Sequence, residues 1–98
     1  MSLVYKICSK DEWKEAVRNG LFSGSAVDAR DGFIHLSTKE QVKGTVLKHF
    51  SGQKHLLIIQ FKVDKLKTKL KWEISRDNNL FPHYYGHIET DLAAKVLN

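Results

Sequence analysis

The chain holds one cysteine, one proline and six glycines in 98 residues, and none of the long apolar runs that mark a membrane span. A lone Cys8 cannot close an internal disulfide, which fits a reducing compartment and reads as a small buried hydrophobe near the end of the first strand. No stretch approaches the ~20 apolar residues of a membrane helix, and no basic segment leads into an apolar leader at the start. These absences predict a cytoplasmic protein with no membrane association. Phosphate-cradling glycine loops of the Walker or dinucleotide type are missing as well, so the familiar nucleotide folds are excluded on motif grounds.

What is present is ordinary for a globular chain: 42% hydrophobic and 28% charged residues. With no repeat, linker or low-complexity tract, residues 1–98 read as a single domain with one modest core. The net charge of +5 permits an anionic partner. Much of it lies in "KVDKLKTKLK", where Lys65, Lys67, Lys69 and Lys71 would share one face of an extended chain. Such a face suits an edge guarded against strand pairing. No aromatic residues interleave with it to stack on bases, which argues against nucleic acid.

Along the chain, "LVYKIC" alternates as a strand, and Ser9 with Glu12 has capping-box spacing for a helix that stops near Gly20. "LFSGSAVDARDG" carries turn formers and no helical stripe, so it reads as a loop with a short extended piece. Phe33 to Leu36 follows as a strand. Ser37 and Glu40 repeat the capping spacing before a second amphipathic helix through Val42, Val46, Leu47 and Phe50 to Gly52. "HLLIIQFKV" is apolar at both parities, as in a central strand covered on two sides. "LKWEI" and "FPHYYGHIE" read as further strands, and "TDLAAKVL" fits a short helix capped by Thr90 or a last strand. Two helices among five or more strands, without regular βαβ alternation, predict an α+β domain with mainly antiparallel sheet.

Five histidines concentrate the chemical interest. His49 and His55 sit at a helix flank and a strand mouth, where solvation explains them. On a strand, period-two spacing sets His83, Tyr85, His87 and Glu89 on one face. A metal site is not expected there, because four strand residues span about 13 Å and zinc bonds are about 2 Å long. Ser37 follows His35 too closely to pair with it as a nucleophile, and helix capping explains it better. A cleft is the remaining chemical reading: three neighbouring strands would bring His35, His83 and Glu73 around a small polar ligand. The alternative for His35 is a core histidine bonded to backbone.

"DGFIHLST" followed by "EQV", then "LKWEIS" and "FPHYYGHI", closely resembles the domain of unknown function 952 family of small bacterial proteins, over nearly the whole chain. That family looks similar to the ADP-ribosyltransferase fold, two small sheets around a cleft that holds NAD in the enzymes. The resemblance implies an NAD or ADP-ribose ligand, with His35, Ser37 and Thr38 holding ribose or phosphates and Tyr85 stacking on a ring. If the protein is an enzyme, Glu73 and His83 are the implied catalytic groups, in glycosyltransferase or NAD-glycohydrolase-like chemistry. "FIHLST" departs from the enzymes in lacking the glycine that usually follows the histidine, and no late glutamate stands in a transferase motif. A competing expectation is a non-enzymatic module that docks an acidic protein or RNA through its basic surface.

Overall fold

The computed structural model describes residues 2–98. Strand β1 (Leu3–Ser9) runs straight into helix α1 (Lys10–Asn19). Ser9 makes the switch: its Oγ accepts from Glu12 N at 3.0 Å, and Glu12 Oε1 accepts from Ser9 N at 2.9 Å. Gly20 closes the helix in the left-handed conformation at φ 83°, where the absence of a Cβ removes the steric penalty. The buried face of α1 carries Trp13 and Ala16, and Trp13 packs at ring distances of 5.8 Å on Phe22 and 6.5 Å on Phe61.

After β2 (Leu21–Phe22) come α2 (Ala26–Asp31), β3 (Ile34–His35) and α3 (Lys39–His49). Strand β4 (Leu56–Lys62) leads through α4 (Val63–Leu66) and a 3₁₀ turn at Lys67–Lys69 into β5 (Leu70–Ile74). Then β6 (Leu80–Tyr84), β7 (Ile88–Glu89), a 3₁₀ turn and β8 (Ala93–Leu97) complete the chain. The strands form two three-stranded antiparallel sheets, β1-β4-β8 and β3-β6-β5, and a two-stranded ribbon β2-β7. The α+β class with antiparallel sheets therefore holds, but four α-helical segments replace the expected two.

Pro82 explains how the two larger sheets meet. It lies in β6, the middle strand of its sheet, where a residue without an N–H weakens the ladder. Its carbonyl accepts from Leu36 N at 3.0 Å, but it has no hydrogen to return, and the β3–β6 ladder ends there. One residue later Ser37 exchanges two 2.8 Å backbone bonds with Tyr5 of β1. Strand β3 is thereby handed from one sheet to the edge of the other. The core between the sheets and α1 includes Val4, Phe22, Ile34, Ile59, Phe61 and Ile88, all almost wholly buried.

Several expectations need correction. "AVDARD" is helical, because α2 is a short element held by buried tertiary bonds rather than by an apolar stripe. Helix α3 starts one residue later than expected, with Thr38 and Gln41 as the capping box, and ends at His49 rather than Gly52. None of its residues is fully buried, and Leu47 is 65% exposed. Strand β4 is central, yet only Leu57, Ile59 and Phe61 are buried while the other parity is half-covered. The four lysines do not share an extended face, since buried Leu66 anchors a helical turn through Val63–Lys69. His83, Tyr85, His87 and Glu89 do not share one either: the chain breaks at Gly86 (φ 143°) and re-enters a different sheet as β7. The C-terminal segment is a strand. No helix among the described residues is long and apolar enough to cross a membrane.

Candidate functional site

His35 and His83 are direct partners in the β3–β6 ladder. The bond from Leu36 N to Pro82 O fixes which pairs exchange hydrogen bonds, and leaves His35 opposite His83 in a non-hydrogen-bonded position. Side chains approach most closely at such positions. The imidazole centroids are 5.5 Å apart, and Phe33 lies against both, 4.6 Å from His35 and stacked 4.1 Å from His83.

Each histidine is braced by a carboxylate at Nδ1. For His83 it is Glu73 Oε1 at 2.7 Å, and the same oxygen accepts the Tyr85 hydroxyl at 2.8 Å. Bonds from His83 and then Tyr85 hold the Glu73 carboxyl below its ordinary range, so it is ionised and takes the Nδ1 hydrogen. With Nδ1 committed, the nitrogen left for a ligand is Nε2. Tyr85, bonded to Glu73, has its own hydroxyl pushed up by that bond. Its ring rests 5.3 Å from Phe33.

For His35 the brace is Asp28, a carboxylate of 2% exposure in α2. Asp28 Oδ1 meets His35 Nδ1 at 2.6 Å and accepts from His35 N at 3.1 Å, while Oδ2 accepts from Lys6 Nζ at 2.8 Å and Ser25 N at 2.9 Å. All four acceptor positions of the carboxylate are filled. Burial pushes its carboxyl up, but the His35 bond and the Lys6 charge outweigh this and hold it well below the usual range. Lys6 is itself buried and gives a second hydrogen bond, 3.1 Å, to His35 O. On the far side of the ring, His35 Nε2 lies 3.0 Å from Asp31 Oδ2. With carboxylates at both nitrogens, both contacts are hydrogen bonds only when both nitrogens carry hydrogen.

The two histidines open onto a cleft of about 560 Å³, within the usual range of small-molecule sites. His35 and His83 line it with Lys6, Arg30, Asp31 and His49, against apolar walls that include Val27, Phe50 and Phe81. Of the residues expected from sequence, Ser37 also lines it, with its hydroxyl 3.1 Å from Thr45 Oγ1. Glu73 and Tyr85 stand beside His83 but are not among the lining residues, and neither is Thr38. Thr38 serves the α3 cap, where its own N–H and that of Gln41 are already bonded. Tyr85, expected to stack on a ligand ring, packs on Phe33 and stays 37% exposed. Among the described residues, no three His, Cys, Asp or Glu side chains are grouped to hold a metal ion.

Sequence reasoning missed Lys6, Asp28 and Asp31. Two signals for them were in the chain. Ser25-x-x-Asp28 has capping spacing, and Lys6 shares the inward parity of Val4 and Cys8 in an otherwise apolar strand. Cys8 is buried, and desolvation with the nearby Glu12 charge pushes its thiol up to about 12. It is an inert packing group rather than a nucleophile.

The family model described as "Protein of unknown function (DUF952)" matches residues 7–96. Among curated proteins no match is found. The crystal structure of protein CC0527 from Caulobacter crescentus is 43% identical, with a TM-score of 0.94 over 97% of this chain and 83% of that one. Its solution NMR structure is 44% identical, with a TM-score of 0.86 over 98% of this chain and 83% of that one. A fold shared at that identity, and a family model spanning all but the first and last few residues, place the chain in the DUF952 family of proteins of unknown function.

Proposed function

We propose that the cleft binds an NAD-like or ADP-ribose-containing ligand, with His35 and His83 as its contacts. The observation that carries this reading is the facing pair of imidazoles, each oriented by a carboxylate, at the floor of one cavity. It is supported by the family's resemblance to the ADP-ribosyltransferase arrangement of two small sheets around a nucleotide cleft. Asp31 is the displaceable partner. Its side chain is one-third exposed, so a pyrophosphate or ribose oxygen replaces it at His35 Nε2 with little disturbance of buried Asp28. Arg30, which ion-pairs with Asp31 and lines the cleft, is then released toward the same anion. His83 offers Nε2 to a sugar hydroxyl, and Glu73 acts through it by fixing the tautomer.

Titration of isotope-labelled protein with NAD and with ADP-ribose, followed by amide NMR, tests this. Expected are saturable shifts at Ile34 to Ser37 and at Phe81 to Tyr84, lost in His35→Gln. Unmoved amides at millimolar ligand overturn the reading. Salt-sensitive shifts centred on Lys62 to Lys71 instead favour a module that docks an acidic protein or RNA. The nicotinamide resonances of the same samples separate binding from processing: free nicotinamide appearing with time adds glycosidic cleavage, while intact NAD leaves a binding protein.

A further inference from the structure

Strand β5 is an edge of its sheet, and its outer side is not paired with any strand among the described residues. The ladder parity says which backbone groups face outward. Tyr85 N donates to Lys69 O and Ser75 N to Asn79 O, both at 2.9 Å and both in register with the β5–β6 pairing. Odd-numbered residues of β5 therefore bond inward to β6. Both backbone groups of Trp72 and Ile74 and the C=O of Leu70 point away from the sheet, while the Leu70 N–H closes the 3₁₀ turn on Lys67 O.

Natural proteins blunt such edges with lysines, bulges or very short strands. The other edges of this molecule are treated in those ways. The β8 side carries a register shift at Gln60/Phe61 and Lys95, the β1 side is occupied at Tyr5 by Ser37, and β2, β3 and β7 are two residues long. Strand β5 has five residues, with Trp72 44% and Ile74 66% exposed, and its cross-strand neighbour Leu80 52% exposed beside Ile74. Its one lysine, Lys71, is followed two residues later by Glu73.

We infer that β5 pairs antiparallel with β5 of a second copy of this chain, about a two-fold axis at Trp72, to make one continuous six-stranded sheet. The parity admits this register. Trp72 pairs with Trp72 of the other copy through two backbone bonds, and at each flanking pair the Ile74 N–H of one copy donates to Leu70 O of the other, the Leu70 N–H staying on Lys67 O. Lys71 then falls opposite Glu73 of the second copy at non-hydrogen-bonded positions, where side chains lie closest. Opposite charges meet on one face and apolar side chains on the other, so the strand is complementary to itself. An isologous pairing of this kind closes at two copies. Glu73 accommodates the lysine because its bonds to His83 and Tyr85 both use Oε1, which leaves Oε2. The dimer thus places a cation of each copy against the carboxylate that orients His83 in the other.

Sedimentation of the wild-type chain from micromolar to millimolar concentration tests the inference, with amide spectra to show that each variant is folded. Expected is a reversible monomer–dimer equilibrium that stops at two copies. Ile74→Lys, at a position already exposed, places a charge in the apolar strip and weakens dimerisation about tenfold or more. Trp72→Cys sets two thiols at the axis, with Cα atoms about 5.5 Å apart, too wide at Cβ for an unstrained disulfide but within reach of a short bismaleimide. The short bismaleimide then gives a covalent dimer, while buried Cys8 takes no part. A wild type that stays monomeric, a dimer indifferent to Ile74→Lys, open-ended association, or no covalent dimer from Trp72→Cys overturns the proposal.

Discussion

Asp28 and His35 touch twice, through the backbone N–H at 3.1 Å and the ring Nδ1 at 2.6 Å, and the same carboxylate holds Lys6 at 2.8 Å in nearly complete burial. The three side chains tie α2, β3 and β1 together. Removing the shared acceptor leaves an ammonium with 4% of its side chain exposed and no other ion pair among the described residues. Asp28→Ala is expected to cost about 3–5 kcal/mol in urea unfolding. Lys6→Met deletes the buried cation instead, and leaves Asp28 bonded to His35 and Ser25. It is expected to cost clearly less, and equal losses would contradict the view that the uncompensated charge dominates.

The same carboxylate sets an acid response. Its folded pKa lies below the ordinary carboxylate value of about 3.9. A depressed carboxyl stabilises the fold fully above the unfolded pKa, and that contribution is lost as pH falls through the folded one. Wild-type urea midpoints are therefore expected to drop as pH is lowered from about 5 to about 2. Asp28→Asn should show a shallower slope over that window. A residual slope remains in the variant, because Asp31, bonded to Arg30, and Glu73, bonded to His83, are also held below their ordinary range.

Alternation and capping made the first helix, the central strand and the two histidine strands readable, since each is a local pattern with a local cause. His35 and His83 were expected to converge; parity sets the face each takes, and the direct pairing of their strands, which spacing does not reveal, brings them opposite one another. Phe33 beside His35 follows from period-two spacing, but its stacking on His83 was not readable, because that depends on which strand pairs with β3. Helix α2 escaped notice for a physical reason. Six residues are too few for a helical stripe, and the element exists through Lys6 and His35, distant in sequence by 22 and 7 residues from Asp28. The α3 cap moved from Ser37 to Thr38 because Ser37 is spent on backbone pairing with Tyr5. That pairing is a long-range fact invisible to spacing rules.

Glu73 gives a test of the second brace. Its carboxyl is held down first by His83 and next by the Tyr85 hydroxyl. Tyr85→Phe removes only the second donor and keeps the ring that packs on Phe33. The Glu73 carboxyl, followed by carbon-13 NMR against pH, is expected to titrate at higher pH than in wild type while remaining below an unperturbed glutamate. An unchanged titration would mean that the hydroxyl does not donate to Glu73 in solution.

Two glycines with similar backbone angles separate strain from crowding near the site. Gly20 and Gly24 have φ of 83° and 97°, a region that side chains disfavour. Around Gly20 a Cβ meets nothing within 4 Å, so Gly20→Ala carries the backbone term alone, about 1 kcal/mol. At Gly24 a Cβ would stand 2.6 Å from both Asp28 Cβ and Asp28 Oδ2, the oxygen that receives Lys6 and Ser25. The carboxylate must move, and its four hydrogen bonds leave little room to do so. Gly24→Ala is therefore expected to lose about 2–3 kcal/mol more than Gly20→Ala in urea unfolding, through buried bonds left unmade. Amide shifts should reach His35 in the Gly24 variant and stay near the α1 terminus in the other. If the two variants prove equally stable, the buried carboxylate is free to shift and the Asp28 hub is softer than its bonding implies.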